Sequence, residues 1–161
     1  MKTCFEITKN DRVMWAFCIA AYVLMANYYS PLSIVRADLD DGNLVEETPF
    51  GSSPQEDRFI MVMAVLAMYA ALNPDTYEAT CLNQIPQAVM ETIAEILRDR
   101  HEKADSAAVV RERDRLLETV ACILQENHMY HLQLAAALME GPITTGVIEE
   151  LKNDYDKGNA D

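Results

Sequence analysis

Glycine and proline are scarce in this chain, with 5 and 6 among 161 residues. That scarcity excludes collagen-like and low-complexity chains, which are rich in both residues. The glycines also stand far apart, so the clustered glycines of a phosphate-binding loop are absent and a nucleotide-using enzyme is disfavoured. Hydrophobic residues make up 50% and charged residues 24% of the chain, which is average for a globular protein.

Basic residues are also few, because 13 lysines and arginines face 26 acidic residues and give a formal net charge of −13. A protein that binds DNA or RNA regardless of sequence needs lysine and arginine to displace counterions from phosphates. Attachment to an anionic membrane surface needs the same excess of positive charge. The composition therefore predicts neither a direct nucleic-acid partner nor a membrane partner.

Cysteine is limited to four residues, with no CxxC motif and no close pair. Cys18 and Cys122 lie in apolar runs, where a reduced thiol packs as a small hydrophobic side chain. We therefore expect no disulfide framework, and the cysteine pattern favours a cytoplasmic location. Cys81 is the least embedded cysteine, yet nothing in the sequence pairs it with a histidine as a nucleophile would require.

Two apolar runs, at residues 13–26 and 59–72, are shorter than a membrane span. As helices they would each be about 21 Å long, against a hydrocarbon core of about 30 Å. We interpret them as two central buried helices, with a membrane-associated helical protein as the alternative. A helix that is apolar all round must be covered on every side, and two of them in one small chain favour a homodimer.

Helix start and stop signals recur along the rest of the chain. Ser53-Pro54-Gln55-Glu56 is a capping box that predicts a helix from 54 to about 72. Further helices are predicted from Pro86, from Ser106, through 130–139 to Gly141-Pro142, and from about Thr145.

Residues 31–52 differ, because β-branched residues and a turn signature at 40–43 indicate an acidic loop or small hairpin. The expected fold is all-α: a compact bundle of about five or six helices around the two apolar ones. We expect a single helical domain over residues 1–157, with a frayed tail at 158–161.

The sequence offers one weak candidate for a metal-binding site. His128 and His131 are three residues apart, so they share a helical face and could offer two ligands. Zinc needs three or four ligands, and the acidic residues around Gly42 do not match the spacing of a calcium loop. We predict no metal and no cofactor. A small helical metal or ligand binder, with Met61, Met63 and Met68 as a possible wall, is the second alternative.

The position of the charge is more informative than its total. Residues 98–115 hold six basic and five acidic residues, which leaves 7 basic against 21 acidic residues in the rest of the chain. An acidic surface attracts basic partners and speeds their association. The sequence therefore predicts a non-enzymatic acidic module that binds a basic protein, as an inhibitor or neutraliser of a nucleic-acid-handling partner. The candidate contact residues are Asp38, Asp40, Asp41, Glu46, Glu47, Glu149, Glu150, Asp154 and Asp156.

Overall fold

The computed structural model describes residues 10–40 and 45–159, and in these ranges the chain forms six α-helices and three short strands. The helices are α1 Arg12–Tyr29, α2 Pro54–Ala70, α3 Gln87–Asp99, α4 Ser106–Glu126, α5 His128–Glu140 and α6 Thr145–Asn159. The strands are β1 Ile34–Ala37, β2 Val45–Glu47 and β3 Ile143–Thr144, and a short 3-10 turn covers Leu82–Gln84. The predicted helical bundle with a small hairpin is confirmed.

Side chains cap the starts of three helices. The carboxylates of Asp11 and Asp105 accept hydrogen bonds from the first-turn amides of α1 and α4, at 3.2 and 2.8 Å. Ser53 Oγ accepts from the amide of Glu56 at 3.1 Å, as the capping box predicts. The Glu56 carboxylate reaches back to Ser52 rather than Ser53, and it accepts from that amide at 3.0 Å.

The two apolar helices form the centre of the molecule. α1 packs against α2 and α5, while α2 also packs against α3 and α4. Side chains such as Leu24, Met25, Met63 and Leu66 are buried within the one chain. The covering surface that we expected a second subunit to provide is thus supplied by the other helices, so burial of the two apolar helices does not require a homodimer. Within residues 10–40 and 45–159, none of the helices has both the length and the apolar character of a bilayer crossing.

The sheet has the strand order β2-β1-β3 and is antiparallel throughout. The predicted hairpin supplies β1 and β2, and residues 41–44 of its turn lie outside the described residues. The third strand, β3, lies outside the segment 31–52 for which the sequence indicates a hairpin: it pairs with β1, and Thr145 Oγ1 donates to the carbonyl of Ile34 at 2.6 Å. A two-residue strand after Gly141-Pro142 is too short to give an alternating pattern, so this pairing had no sequence signal.

Candidate protein-binding surface

The sheet connects the two groups of acidic residues that the sequence singled out. Glu46 on β2 pairs in register with Arg36 on β1, and Arg36 pairs with Thr144 on β3. Neighbouring strands lie about 4.8 Å apart, so two strand steps separate Glu46 from Thr144 by about 10 Å. α6 begins directly after Thr144 and carries Glu149 and Glu150 in its second turn. The sheet therefore brings the hairpin and the start of α6 side by side, and α6 also contacts β1 and β3. We treat the exposed residues of the sheet and α6 as one candidate surface.

Two of the predicted contact residues already hold counter-ions. Arg12 donates to both carboxylate oxygens of Asp40, at 2.6 and 3.1 Å, and Arg36 donates to Asp38 at 2.8 Å. The hydrogen bond from Arg12 lowers the pKa of Asp40, with a smaller opposing effect of burial. Asp38 is thus paired with Arg36 of β1, and Asp40 is paired with Arg12 at the start of α1. Sequence position alone could not show this, because Arg12 is 28 residues from Asp40.

Glu47 is turned towards α1. The Tyr22 hydroxyl donates to its carboxylate at 2.7 Å. Burial raises the pKa of Glu47; the Tyr22 hydrogen bond opposes this shift and the nearby charge of Asp57 adds to it. Both glutamates are exposed residues, but the carboxylate of Glu47 has an internal hydrogen-bond donor, whereas that of Glu46 has none among the described residues. Asp41 lies outside the described residues.

α6 carries the less engaged carboxylates. Among its described side chains, residues 145–158, only Ile148 is buried. Asp156 pairs with Lys152 at 3.0 Å, and the Lys152 ammonium also lies over the rings of Tyr130 and Tyr155. By contrast, Glu46 and three α6 carboxylates are exposed and form no ion pair within the part of the chain that the structure describes. These four residues, which we call the open carboxylates, are Glu46, Glu149, Glu150 and Asp154.

Exposed apolar side chains accompany the open carboxylates. Val35 is 43% exposed and sits at the irregularity in the β1–β2 register, between Ile34 and Arg36. A bulge of this kind re-aims the side chain that it contains. Val147, in the first turn of α6, is 37% exposed. Neither valine could be identified as exposed from the sequence, because an isolated valine in a strand or helix pattern usually indicates a core position.

A buried polar cluster lies apart from this surface. The Tyr77 hydroxyl is 2.8 Å from Nδ1 of His128 and 2.7 Å from Nδ1 of His131, and Nε2 of His131 is 2.8 Å from the Phe17 carbonyl oxygen. Burial lowers the pKa of His131 to about 4, while the Phe17 carbonyl opposes the shift and His128 adds to it. Burial also raises the pKa of Tyr77, so this tyrosine remains a hydroxyl donor.

This cluster explains the histidine pair without a metal. Both Nδ1 atoms are used by one hydroxyl, and the other ring nitrogen of His131 is used by a carbonyl. Across the described ranges, histidine, cysteine and carboxylate side chains form no group of three or more that could hold a metal ion. The spacing of His128 and His131 indicated a shared face correctly, but Tyr77, 51 residues before His128, could not be assigned from the sequence.

The cysteines differ from the expectation in one respect. Cys18 is a buried free thiol, and burial raises its pKa to about 12, so it is inert as a nucleophile. Cys122 is free and exposed. Cys81, which we expected to be reduced, is disulfide-bonded. It is therefore unavailable as a nucleophilic thiolate.

Comparison of the chain with protein-family models, with curated proteins and with solved structures gives no match.

Proposed function

We propose that this protein binds a basic protein partner through the surface formed by the sheet and α6, and that it performs no chemistry itself. The observation that carries the proposal is the set of open carboxylates, which belong to the sheet and α6 together with exposed Val35 and Val147 and have no internal counter-ion among the described residues. Apolar side chains inside a charged rim are the usual anatomy of a protein interface.

The chemistry of such a surface suits arginine and lysine. A carboxylate accepts two parallel hydrogen bonds from a guanidinium, in the same geometry that a phosphate offers. Several carboxylates on one surface can therefore bind an arginine-rich site in place of the phosphates of a nucleic acid. For this reason we propose that the protein is an inhibitor or neutraliser of a nucleic-acid-handling protein. The net charge of −13 also speeds the encounter with a basic partner at low salt.

Two attributes of the protein remain sequence-based proposals. Cytoplasmic location is one, and the disulfide at Cys81 argues against it because structural disulfides persist in oxidising compartments. A homodimer is the other. Because α1 and α2 are already buried within one chain, their apolar surfaces do not need a second subunit to cover them.

A charge-matched pair of variants tests the proposed surface. The surface variant changes Glu46, Glu149 and Glu150 to glutamine, and the control changes the exposed Glu91, Glu118 and Glu126, which lie on α3 and α4. Both variants have the same net charge. Because an exposed ion pair contributes about 0.2–1 kcal/mol, we expect the surface variant to bind a dodeca-arginine peptide roughly tenfold more weakly than the control.

Calorimetric titration at about 20 and 200 mM NaCl measures both the affinities and their dependence on salt, since screening shortens the reach of surface charges between these concentrations. Equal affinities for the two variants would show that the peptide responds to total charge, and the proposal would be wrong. Binding that is indifferent to salt would contradict it as well.

A further inference from the structure

The segment from residue 74 to residue 80, which we call the strap, lies between Asn73 and the disulfide-bonded Cys81 and has one buried side chain. Of residues 74–80, Tyr77 alone is buried, and it is 2% exposed. Tyr77 also has a left-handed backbone with φ of 57°, a conformation that is strained for a non-glycine residue. The strap therefore depends on the contacts that the Tyr77 side chain makes.

The hydrogen-bond pattern assigns the protons in the Tyr77 cluster. The Phe17 carbonyl can only accept, so Nε2 of His131 carries a hydrogen and Nδ1 of the neutral ring is an acceptor. The Tyr77 hydroxyl donates to that Nδ1, and its oxygen accepts from Nδ1–H of His128. The result is a directed chain of hydrogen bonds from half-buried His128 through Tyr77 to fully buried His131.

We propose that Tyr77, His128 and His131 form an acid-released latch, which holds the strap on the bundle while the histidines are neutral and frees it when both are protonated. A single proton that enters at His128 can pass along the chain if each hydrogen bond reverses, and the hydroxyl then still has an acceptor. With two protons, both Nδ1 atoms are donors that point at the same oxygen. The hydroxyl hydrogen then has no acceptor, and two positive charges face each other away from water.

Among residues 10–40 and 45–159, no buried carboxylate contacts the histidines to compensate the protonated state. The titratable groups in contact with His131 are Tyr77 of the strap and His128 of its own helix α5. α1 presents only the carbonyl and ring of Phe17, and the sequence from Val13 to Tyr29 contains no charged residue. The strap carries Glu78, and the facing side of α4 carries Asp114, Glu118 and Glu126; all four side chains are exposed to solvent. The repulsion between the two protonated histidines is reduced most readily when the strap opens and water reaches both rings.

The opening is expected to be local and measurable. α5 and α1 are held by many other buried side chains, whereas the strap is otherwise held mainly by side-chain hydrogen bonds at its surface. Gln125 Nε2 of α4 donates to the carbonyl of Thr76 at 3.0 Å, and Asn73 Nδ2 donates to the carbonyl of Glu78 at 2.8 Å and to Thr80 Oγ1 at 3.2 Å. Ala79 is partly buried against the core. With a pKa of about 4 for His131 in the closed state and about 6.5 for a hydrated histidine, the ratio of open to closed strap rises about 30-fold between pH 7.5 and pH 5.

Amide hydrogen exchange of the intact protein, corrected for the intrinsic pH dependence of exchange, tests the latch. We expect protection of residues 75–80 to fall about 30-fold from pH 7.5 to pH 5, while the amides around Leu134 in α5 keep theirs. His131→Asn retains an acceptor for Tyr77 but does not titrate, so its strap should lack the acid response. Tyr130→Phe removes a buried hydroxyl outside the latch and should behave like the unmodified protein.

A second variant separates the latch from general loss of stability. Tyr77→Phe keeps the ring but removes the hydroxyl, and we expect strap protection about tenfold lower at pH 7.5 with core protection unchanged. The proposal is overturned if strap protection is the same at both pH values, if the core opens together with the strap, or if His131→Asn retains the full acid response.

Discussion

α1 and α6 are helices of similar length with opposite environments. Nearly every side chain of α1 between Trp15 and Ala26 is buried, whereas Ile148 is the single buried side chain among residues 145–158 of α6. α1 therefore contributes mainly to the free energy of folding, through apolar burial. α6 contributes little to the core and leaves its carboxylates in solvent. The contrast identifies α6 as a helix whose surface can be changed without unfolding the protein.

The strongest test of this contrast truncates one leucine in each helix. Leu24 in α1 is 2% exposed, so Leu24→Ala should lower the free energy of unfolding by about 2–5 kcal/mol, from lost burial and the cavity that remains. Leu151 in α6 is only partly buried, and Leu151→Ala should cost less than half as much. Urea denaturation measures both values. Similar losses would mean that α6 is as much part of the core as α1.

A second test concerns the one buried histidine that contacts α1. The pKa of His131 is about 4 in the folded protein and about 6.5 when unfolded, so the unfolded chain takes up a proton first as the pH falls. The stability that neutral His131 contributes is complete above about pH 6.5 and decreases by about 3 kcal/mol as the pH falls to 4.

This pH dependence can be isolated with His131→Gln, which keeps a donor for the Phe17 carbonyl and does not titrate. Chemical denaturation at several pH values should show the unmodified protein losing more stability than the variant between pH 6.5 and 4. Parallel curves for the two proteins would assign the acid sensitivity to other groups.

A third test weakens the start of α1. Asp11 caps the helix by accepting from the amide of Met14, and Asp11→Ala should cost about 1 kcal/mol. Asp11→Asn keeps the acceptor and should cost a few tenths of a kcal/mol. Equal stability of the alanine and asparagine variants would show that the cap contributes nothing and that the start of α1 is stabilised by apolar burial alone.

The smallest effect is expected on α6. Changing Glu149 and Glu150 to glutamine should alter the free energy of unfolding by less than about 0.5 kcal/mol, since both side chains are exposed and unpaired among the described residues. Thermal unfolding at low salt measures the change. A loss above about 1 kcal/mol would reveal a structural role for these carboxylates and weaken the contrast between the two helices.

The sequence predicted the elements better than the surface. Caps such as Ser53 and the all-round apolar runs are local patterns, so the helices and the central position of α1 and α2 could be predicted from them. The pairing of Asp40 with Arg12 and the contact of Tyr77 with both histidines join distant parts of the chain. The sequence therefore shows where acidic residues are concentrated. It does not show that Asp38 and Asp40 form internal ion pairs, whereas Glu149 has none among the described residues.

The pairing of β1 with β3 has a consequence for the order of folding. It joins Arg36 to Thr144, at a sequence separation far greater than that of the contacts between consecutive helices. Contacts between residues so far apart in sequence form slowly, because the entropy of closing a long loop is lost before the contact contributes any stabilisation. We expect the helical pairs to assemble first and the sheet to close last. During synthesis, a chain that still lacks β3 and α6 would carry the hairpin acids alone. The surface that we propose for partner binding would therefore be complete only after α6 had been synthesised.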